Sequence, residues 1–184
     1  MSASTEFDRI VILNLGDNQL MDAGIARLAQ WACLARLQEL SLAGNEVGDE
    51  GAKALAASPY LRQLTHLCLA DNQLRVFGLK ALVTSPGLSR LRILNLYRNR
   101  LGDMGAQVLA RWPGLARLDR LHVGNNQIND VGAQELIASP HINRMYELDL
   151  SGNDLSEATM DQAKTTLKDR VLHLKLEGSE ESGS

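Results

Sequence analysis

Cysteine is scarce in this 184-residue chain, with Cys33 and Cys68 alone. Two isolated thiols make neither a disulfide framework nor the paired C-x-x-C of a zinc site, so they read as free and favour a reducing compartment. Long apolar runs are missing too. No stretch approaches the ~18 consecutive apolar residues of a membrane span, and the opening MSASTEFDR lacks the basic-then-apolar layout of a secretory signal. The expectation is a cytoplasmic protein with no membrane partner. Lysine and arginine are dispersed within a formal net charge of -3. That gives no basic stripe of the kind that phosphate-backbone binding needs, so nucleic acid is not an expected partner. At 45% hydrophobic residues the chain can bury one sizeable core without disulfides or a structural metal.

What is present is a period. Asn18, Asn45, Asn72, Asn99, Asn126 and Asn153 are spaced by 27 residues each. Eight residues before each asparagine stands Ile10, Leu37, Leu64, Leu91, Leu118 or Met145, and five before, always leucine, from Leu13 to Leu148. Further apolar residues stand three before and two after, giving the unit LxxLxLxxNxL. Gly24, Gly51, Gly78, Gly105 and Gly132 then open alanine- and leucine-rich stretches such as GAKALAASP, whose paired apolar positions share one helical face. Pro59, Pro86, Pro113 and Pro140 are expected to stop those helices. Each repeat therefore reads as strand, loop, helix, loop. One repeat cannot bury its leucines alone, so neighbours must stack, strands in a parallel sheet and helices in a second layer. The fold class is α/β: a curved solenoid with strands on the concave face and helices on the convex one.

The organisation implied is an N-terminal extension at 1–8 and a repeat domain at 9–176. The units lie near 10–36, 37–63, 64–90, 91–117, 118–144 and 145–171, with a capping strand at 172–176 and a disordered tail at 177–184. The sixth unit departs from the pattern. Thr159 replaces the glycine, no proline follows, and Leu174 and Leu176 arrive one residue early. It reads as the C-terminal cap, with Ser156 capping its helix and Lys168 and Arg170 near the helix end, where positive charge suits the dipole.

The pattern LxxLxLxxNxLxDxGAxxLAxSPxLxxL, as in LQELSLAGNEVGDEGAKALAASPYLRQL, resembles the leucine-rich-repeat family and, by repeat length, its ribonuclease-inhibitor-like class. The resemblance covers about 9–176 and implies a non-enzymatic scaffold that binds a protein partner through its concave face, without naming the partner. Family analogy also offers a regulator of a small GTPase acting through Arg98 or Arg100. A structural alternative is self-association through the thinly covered N-terminal strand near Val11 and Ile12, in an otherwise monomeric protein.

The asparagines read as a structural ladder bonding backbone groups of adjacent turns. Asp22, Asp49, Asp103 and Asp130, each two residues before a glycine, read as helix caps and not as a metal site. Partner choice is expected at the outward strand positions, which vary between repeats. Six before the asparagine these are Ile12, Glu39, His66, Ile93, Arg120 and Glu147. Four before, they are Asn14, Ser41, Cys68, Asn95, His122 and Asp149. Four lateral acid–base pairs emerge: Glu39 with His66, Asp71 with Arg98, Arg120 with Glu147, and His122 with Asp149. The expected binding site is Ile93, Asn95, Tyr97, Arg98, Arg100, Arg120 and His122. Its centre is Ile93, Tyr97 and Arg100, with Tyr97 left accessible by Ala70 and Gly124. A polar convex row, Lys53, Lys80, Gln107 and Gln134, ranks below it. His66 and Cys68, ~6 to 7 Å apart on one strand, have no orienting third group. A shallow open sheet also offers no oxyanion donors, so no catalytic residue, cofactor or metal is expected.

Overall fold

The computed structural model describes residues 10–177. The extension at 1–8 and all but the first residue of the expected tail lie outside it. Seven strands, β1 (Ile12–Asn14), β2 (Glu39–Ser41), β3 (His66–Cys68), β4 (Ile93–Asn95), β5 (Arg120–His122), β6 (Met145–Asp149) and β7 (Val171–Lys175), form one open parallel sheet in chain order. Between them run α1 (Met21–Leu28), α2 (Asp49–Ala57), α3 (Val76–Thr84), α4 (Gly102–Ala110), α5 (Asp130–Ile137) and α6 (Glu157–Leu167). Strands stack ~4.8 Å apart and helices about 8 to 10 Å apart, so the helix layer takes the longer outer arc and the strands the inner one. Register is one repeat per step, Glu39 beside His66, His66 beside Ile93, Ile93 beside Arg120, up to the last strand. There Leu148 meets Leu174, the shortened step expected of the cap.

The core is the leucine lattice that the period implies. Leu40, Leu67, Leu94, Leu121 and Leu148 are buried, as are Leu42, Leu69, Leu96, Val123 and Leu150 in the next row. Ile10, Leu13, Leu15 and Leu20 of the first repeat are only partly covered. Beneath the strand exits runs the asparagine ladder. The Asn72 Oδ1 accepts from the N–H groups of Asn45 and Val47, and its Nδ2 donates to the carbonyls of Leu42 and Ala70. Asn45 and Asn153 repeat this four-bond arrangement, while Asn99 and Asn126 accept from one N–H and keep the bonds to the strand carbonyls.

The aspartates correct an expectation. Each caps the helix entry of the following repeat and not its own: Asp22 accepts from Gly48 N, Asp49 from Arg75 N and Gly78 N, Asp103 from Asn129 N, and Asp130 from Ser156 N. The cause is close stacking. A Cβ on Gly51, Gly78 or Gly132 would fall 2.5 to 2.7 Å from the preceding aspartate's oxygen, so the glycines let that carboxylate reach across. Val76 stands where α3 would carry the aspartate, and the consequence appears one repeat later. The capped helices are entered through an extended residue, Gly48, Arg75, Asn129 or Ser156. By contrast α4 is entered through Leu101 in the helical region and Gly102 at φ +57. The first helix, with no described repeat before it, enters the same way through Leu20 and Met21 at φ 52.

The prolines stand just past the helix ends, and the residues before Pro59, Pro86 and Pro113, namely Ser58, Ser85 and Trp112, are extended as a following proline requires. The helices before Pro59, Pro86 and Pro113 have ended by then, and Pro86 and Pro113 open 3-10 turns at Pro86–Leu88 and Pro113–Arg117. Ser58, Ser85 and Ser139 donate across the stack to carbonyls at the helix end of the previous repeat, Ala29, Ala56 and Ala110. In the cap, Ser156 accepts from Thr159 N as expected, and the Thr159 hydroxyl packs against Gln134 and Ser156.

Asn72→Leu should cost several times what one average hydrogen bond contributes. It strands the N–H groups of Asn45 and Val47 and the Leu42 carbonyl, while the Ala70 carbonyl keeps Gly44 N, at about 1 to 3 kcal/mol for each that stays buried. Asp49→Ala should cost about 1 kcal/mol, the usual loss for a cap. Urea titration of the two variants beside the parent checks the ordering; an Asn72 variant no weaker than the Asp49 variant would contradict the ladder's role.

Candidate functional site

Strand pleating sends alternate side chains to the inner face, and the one-repeat register sets them in lateral rows. The expected row neighbours are in place, but their contacts differ from the simple pairing. Arg98 Nε lies 3.2 Å from Asp71, and Arg120 Nε 3.9 Å from Glu147, with Arg120 also over the Tyr146 ring at 4.8 Å. His122 faces Glu147 at 3.6 Å and not Asp149, which accepts instead from the N–H and hydroxyl of Ser151. His66 shares a 2.8 Å contact with Thr65, with no bond to Glu39.

The proposed cluster divides between two concavities. Ile93, Asn95, Arg120 and His122 line a hollow of about 310 Å³ on the strand face, together with Ile12, Glu39, His66 and Cys68. Arg98 and Arg100 line a larger groove of about 950 Å³ on the loop edge, with Asn125, Gln127 and Asn129. Tyr97 is partly exposed and rests on one side against its neighbour repeat. Its ring lies over Gly124, where a Cβ would come within 2.9 Å, and its hydroxyl accepts from Asn125 Nδ2 at 2.7 Å. Glycine at 124 therefore seats the ring instead of freeing it. Asn95 is partly occupied by its own chain, accepting from Tyr97 N at 2.9 Å.

The electrostatic centre of the face escaped the sequence reading. The Glu147 side chain is 10% exposed, and above it converge Lys175 at 2.5 Å, His122 and Arg120, the last two 22% and 44% exposed. The Lys175 ammonium holds the Glu147 carboxyl below its ordinary range against the opposing effect of burial, and Glu147 in turn raises the lysine. Extending the rows by the shortened last step would have placed His173 and Lys175 beside Glu147 and Asp149. His66 and Cys68 line the strand hollow, and among the described residues no group of three or more His, Cys, Asp or Glu could hold a metal. Both cysteines are free. No helix among the described residues is long and apolar enough to cross a membrane.

The family model described as Leucine Rich repeat matches residues 36–56, 89–110 and 118–136. Comparison with curated protein sequences gives no match. Among solved structures, an internalin from Listeria monocytogenes is similar at TM-score 0.59 and 21% identity, over 92% of this chain and 48% of that one. This chain thus spans about half the length of that protein. The LRR ectodomain of the receptor kinase SOBIR1 from Arabidopsis thaliana is similar at TM-score 0.41 and 22% identity, over 79% and 69% of the two chains.

Because Glu147 is depressed when folded, the stability it gains from Lys175 is present above its unfolded pKa, about 4.3, and is lost as pH falls through the lower folded value. The lysine, being raised, contributes below its unfolded value of about 10.4 and loses that contribution as pH rises through the folded one. Lys175→Met should therefore unfold more easily than the parent at pH 7, with the gap closing in strong acid. Paired urea midpoints across pH check this; a gap unchanged at pH 2 would remove the ion pair as its cause.

Proposed function

We propose that this chain, built of leucine-rich repeats, is a non-enzymatic binding module that holds a protein partner against its strand face. The observation that carries the reading is the division of labour in each repeat. Leucine, asparagine and aspartate positions are consumed by the scaffold, while the outward strand positions differ at every step and line one continuous hollow. Ile93, Asn95, Arg120 and His122 are the contact residues proposed there, with Tyr97, Arg98 and Arg100 at the adjoining loop edge. Nothing convergent for chemistry accompanies them, since His66 is turned to Thr65 and an open sheet excludes little water. The repeat length favours the ribonuclease-inhibitor-like class, and unpaired cysteines suit a cytoplasmic setting. The GTPase reading through Arg98 or Arg100 gains no support: Arg98 is held by Asp71, and Arg100 is exposed with no feature that sets it apart from an ordinary contact residue.

A second reading has one observation in its favour. Val11 and Ile12 at the β1 edge are 38% and 64% exposed, beside first-repeat leucines that are only partly covered. Such an edge suits pairing with a second copy. Sedimentation over a wide concentration range separates the two readings, as an edge-paired dimer would dissociate on dilution and on Ile12→Lys.

For the principal reading, Ile93→Lys with Cys68→Arg should abolish capture of a specific partner from lysate of the native host. Lys53→Glu with Lys80→Glu on the helices should leave it intact. Loss with the helix variant alone would overturn the strand-face assignment.

A further inference from the structure

Arginines that are dispersed along the sequence are gathered into a row by the repeat, which the sequence reading did not see. Arg36, Arg90, Arg117 and Arg144 each stand nine residues before a ladder asparagine, and Gln63 fills that place before Asn72. In a parallel sheet wound in chain order every helix returns to its strand at the same edge, so these positions lie side by side. Two residues further on, Gln38, Thr65, Arg92, Asp119 and Tyr146 each donate a backbone N–H to the repeat before, at 2.7 to 2.8 Å. The row is thereby held near the sheet spacing of ~4.8 Å.

The connections at this edge, 29–38, 58–65, 85–92, 111–119, 138–144 and 168–170, carry nine basic residues and two acids, Asp119 and Asp169. Those at the opposite edge, 15–20, 42–48, 69–75, 96–101, 123–129 and 150–156, carry three basic residues and four acids. The helix first turns beyond them add Asp22, Asp49, Glu50, Asp103, Asp130 and Glu157. A formal net charge of -3 thus conceals a molecule polarised across its width. The fold does not consume these cations. Positive charge suits the last turn of a helix, yet the row stands past the helix ends. At this edge only Arg92 and Arg170 donate to backbone carbonyls, those of Arg117 and of Ser139 and Ile142, while Arg90 bonds Gln63 and Arg92 lies 3.8 Å from Asp119. Arg36, Arg62, Arg117 and Arg144 are exposed and make no side-chain ion pair or hydrogen bond among the described residues. Large apolar side chains stand at the two ends of the same edge: Trp31 is 54% exposed at one, and Tyr146 and Leu172 are 44% and 70% exposed at the other.

We propose that this edge rests on an anionic lipid surface, with the strand face standing upright from the bilayer and open to a protein partner. The turns of successive repeats end at one level, which makes the edge flat. Its cations spread across that level from the strand side, at Arg92, to the helix side, at Arg111 and Lys168, so a plane meets more of them than a single linear polyanion does. Amphipathic rings and short apolar side chains suit the headgroup boundary, where Trp31, Tyr146 and Leu172 would lie. An acidic peptide laid along Arg36 to Arg144 leaves those apolar ends uncovered. A single-stranded nucleic acid finds no exposed aromatic ring at this edge between Arg36 and Arg144 on which to stack its bases. The acidic edge is turned away, so the field of the bilayer orients the molecule as well as attracting it.

The test is flotation with vesicles of phosphatidylcholine, alone or with roughly one-third phosphatidylserine. The protein should float with the anionic vesicles only, and should be released in about 1 M salt, where screening acts within about 3 Å. Arg90→Glu with Arg117→Glu should lower anionic partition at least about tenfold, since each basic residue at such a surface accounts for about a fivefold effect. Lys53→Glu with Lys80→Glu, the same change of charge on the helices, should leave it within about threefold, being screened from the surface. Circular dichroism and urea midpoints check that each variant is folded. With Trp112→Phe, Trp31 is the one tryptophan left, and its emission should move to the blue on anionic vesicles. Several results would overturn the proposal: no flotation, equal flotation with both vesicles, equal loss in the two double variants, or unmoved Trp31 emission. Tighter binding to polyglutamate or poly(U) than to vesicles of equal negative charge would do so too.

Discussion

The buried asparagine amide is the interaction on which the solenoid depends. At each strand exit the backbone turns away from its ladder and would leave N–H and C=O groups buried without partners. An asparagine side chain holds both a donor and an acceptor, so it can serve a carbonyl on one side and an amide on the other. Asn72 does this across three chain segments, bonding Leu42 and Ala70 through Nδ2 and Asn45 and Val47 through Oδ1. A repeat is thereby incomplete without its neighbour, which adds a directional term to the non-directional burial of leucine. Stability in such an array is carried by the interfaces between units, and a rigid, regularly spaced face follows from it.

A second relay lies on the helix side. Each aspartate reaches one repeat forward, so the entry geometry of a helix is decided by the sequence of the repeat before it. Val76 interrupts this relay, and α4 begins through a left-handed glycine without an aspartate cap.

The fold was legible because its determinants are local and periodic. Register, layer order and the capping step at Leu174 all follow from counting residues between asparagines and leucines. The aspartate partners were not legible in the same way. A cap at the start of a helix and a carboxylate reaching to the next helix have the same sequence signature, and only the close approach at Gly51, Gly78 and Gly132 distinguishes them. Tyr97 shows the opposite limit. A small neighbour at 124 can either clear space around a ring or provide the bed on which it rests, and the hydrogen bond from Asn125 selects the second. Glu147 was read as an exposed row partner because the rows ended at the last asparagine. The shortened register brings Lys175 onto it and buries it.

Burial of Glu147 also changes what the inner face presents to a partner. In β1 to β3 and the first loop positions after them, the ionised groups are Asp17, Glu39, Glu46 and Asp71, with no lysine or arginine. From β4 onward come Arg98, Arg100, Arg120 and Lys175 against Glu147, Asp149 and Asp154, of which Glu147 and Asp149 lie buried. The face therefore carries only acids at one end and a nearly balanced mixture of acids and bases toward the other, where Lys175 and Arg120 meet Glu147. Exposed ion pairs of this kind contribute about 0 to 1 kcal/mol to folding. Their larger effect is on encounter, where complementary potentials select orientation and rate more than affinity. On the proposed strand-face reading, a charge difference along the stacking direction would bias the orientation of a partner's approach more than its final affinity.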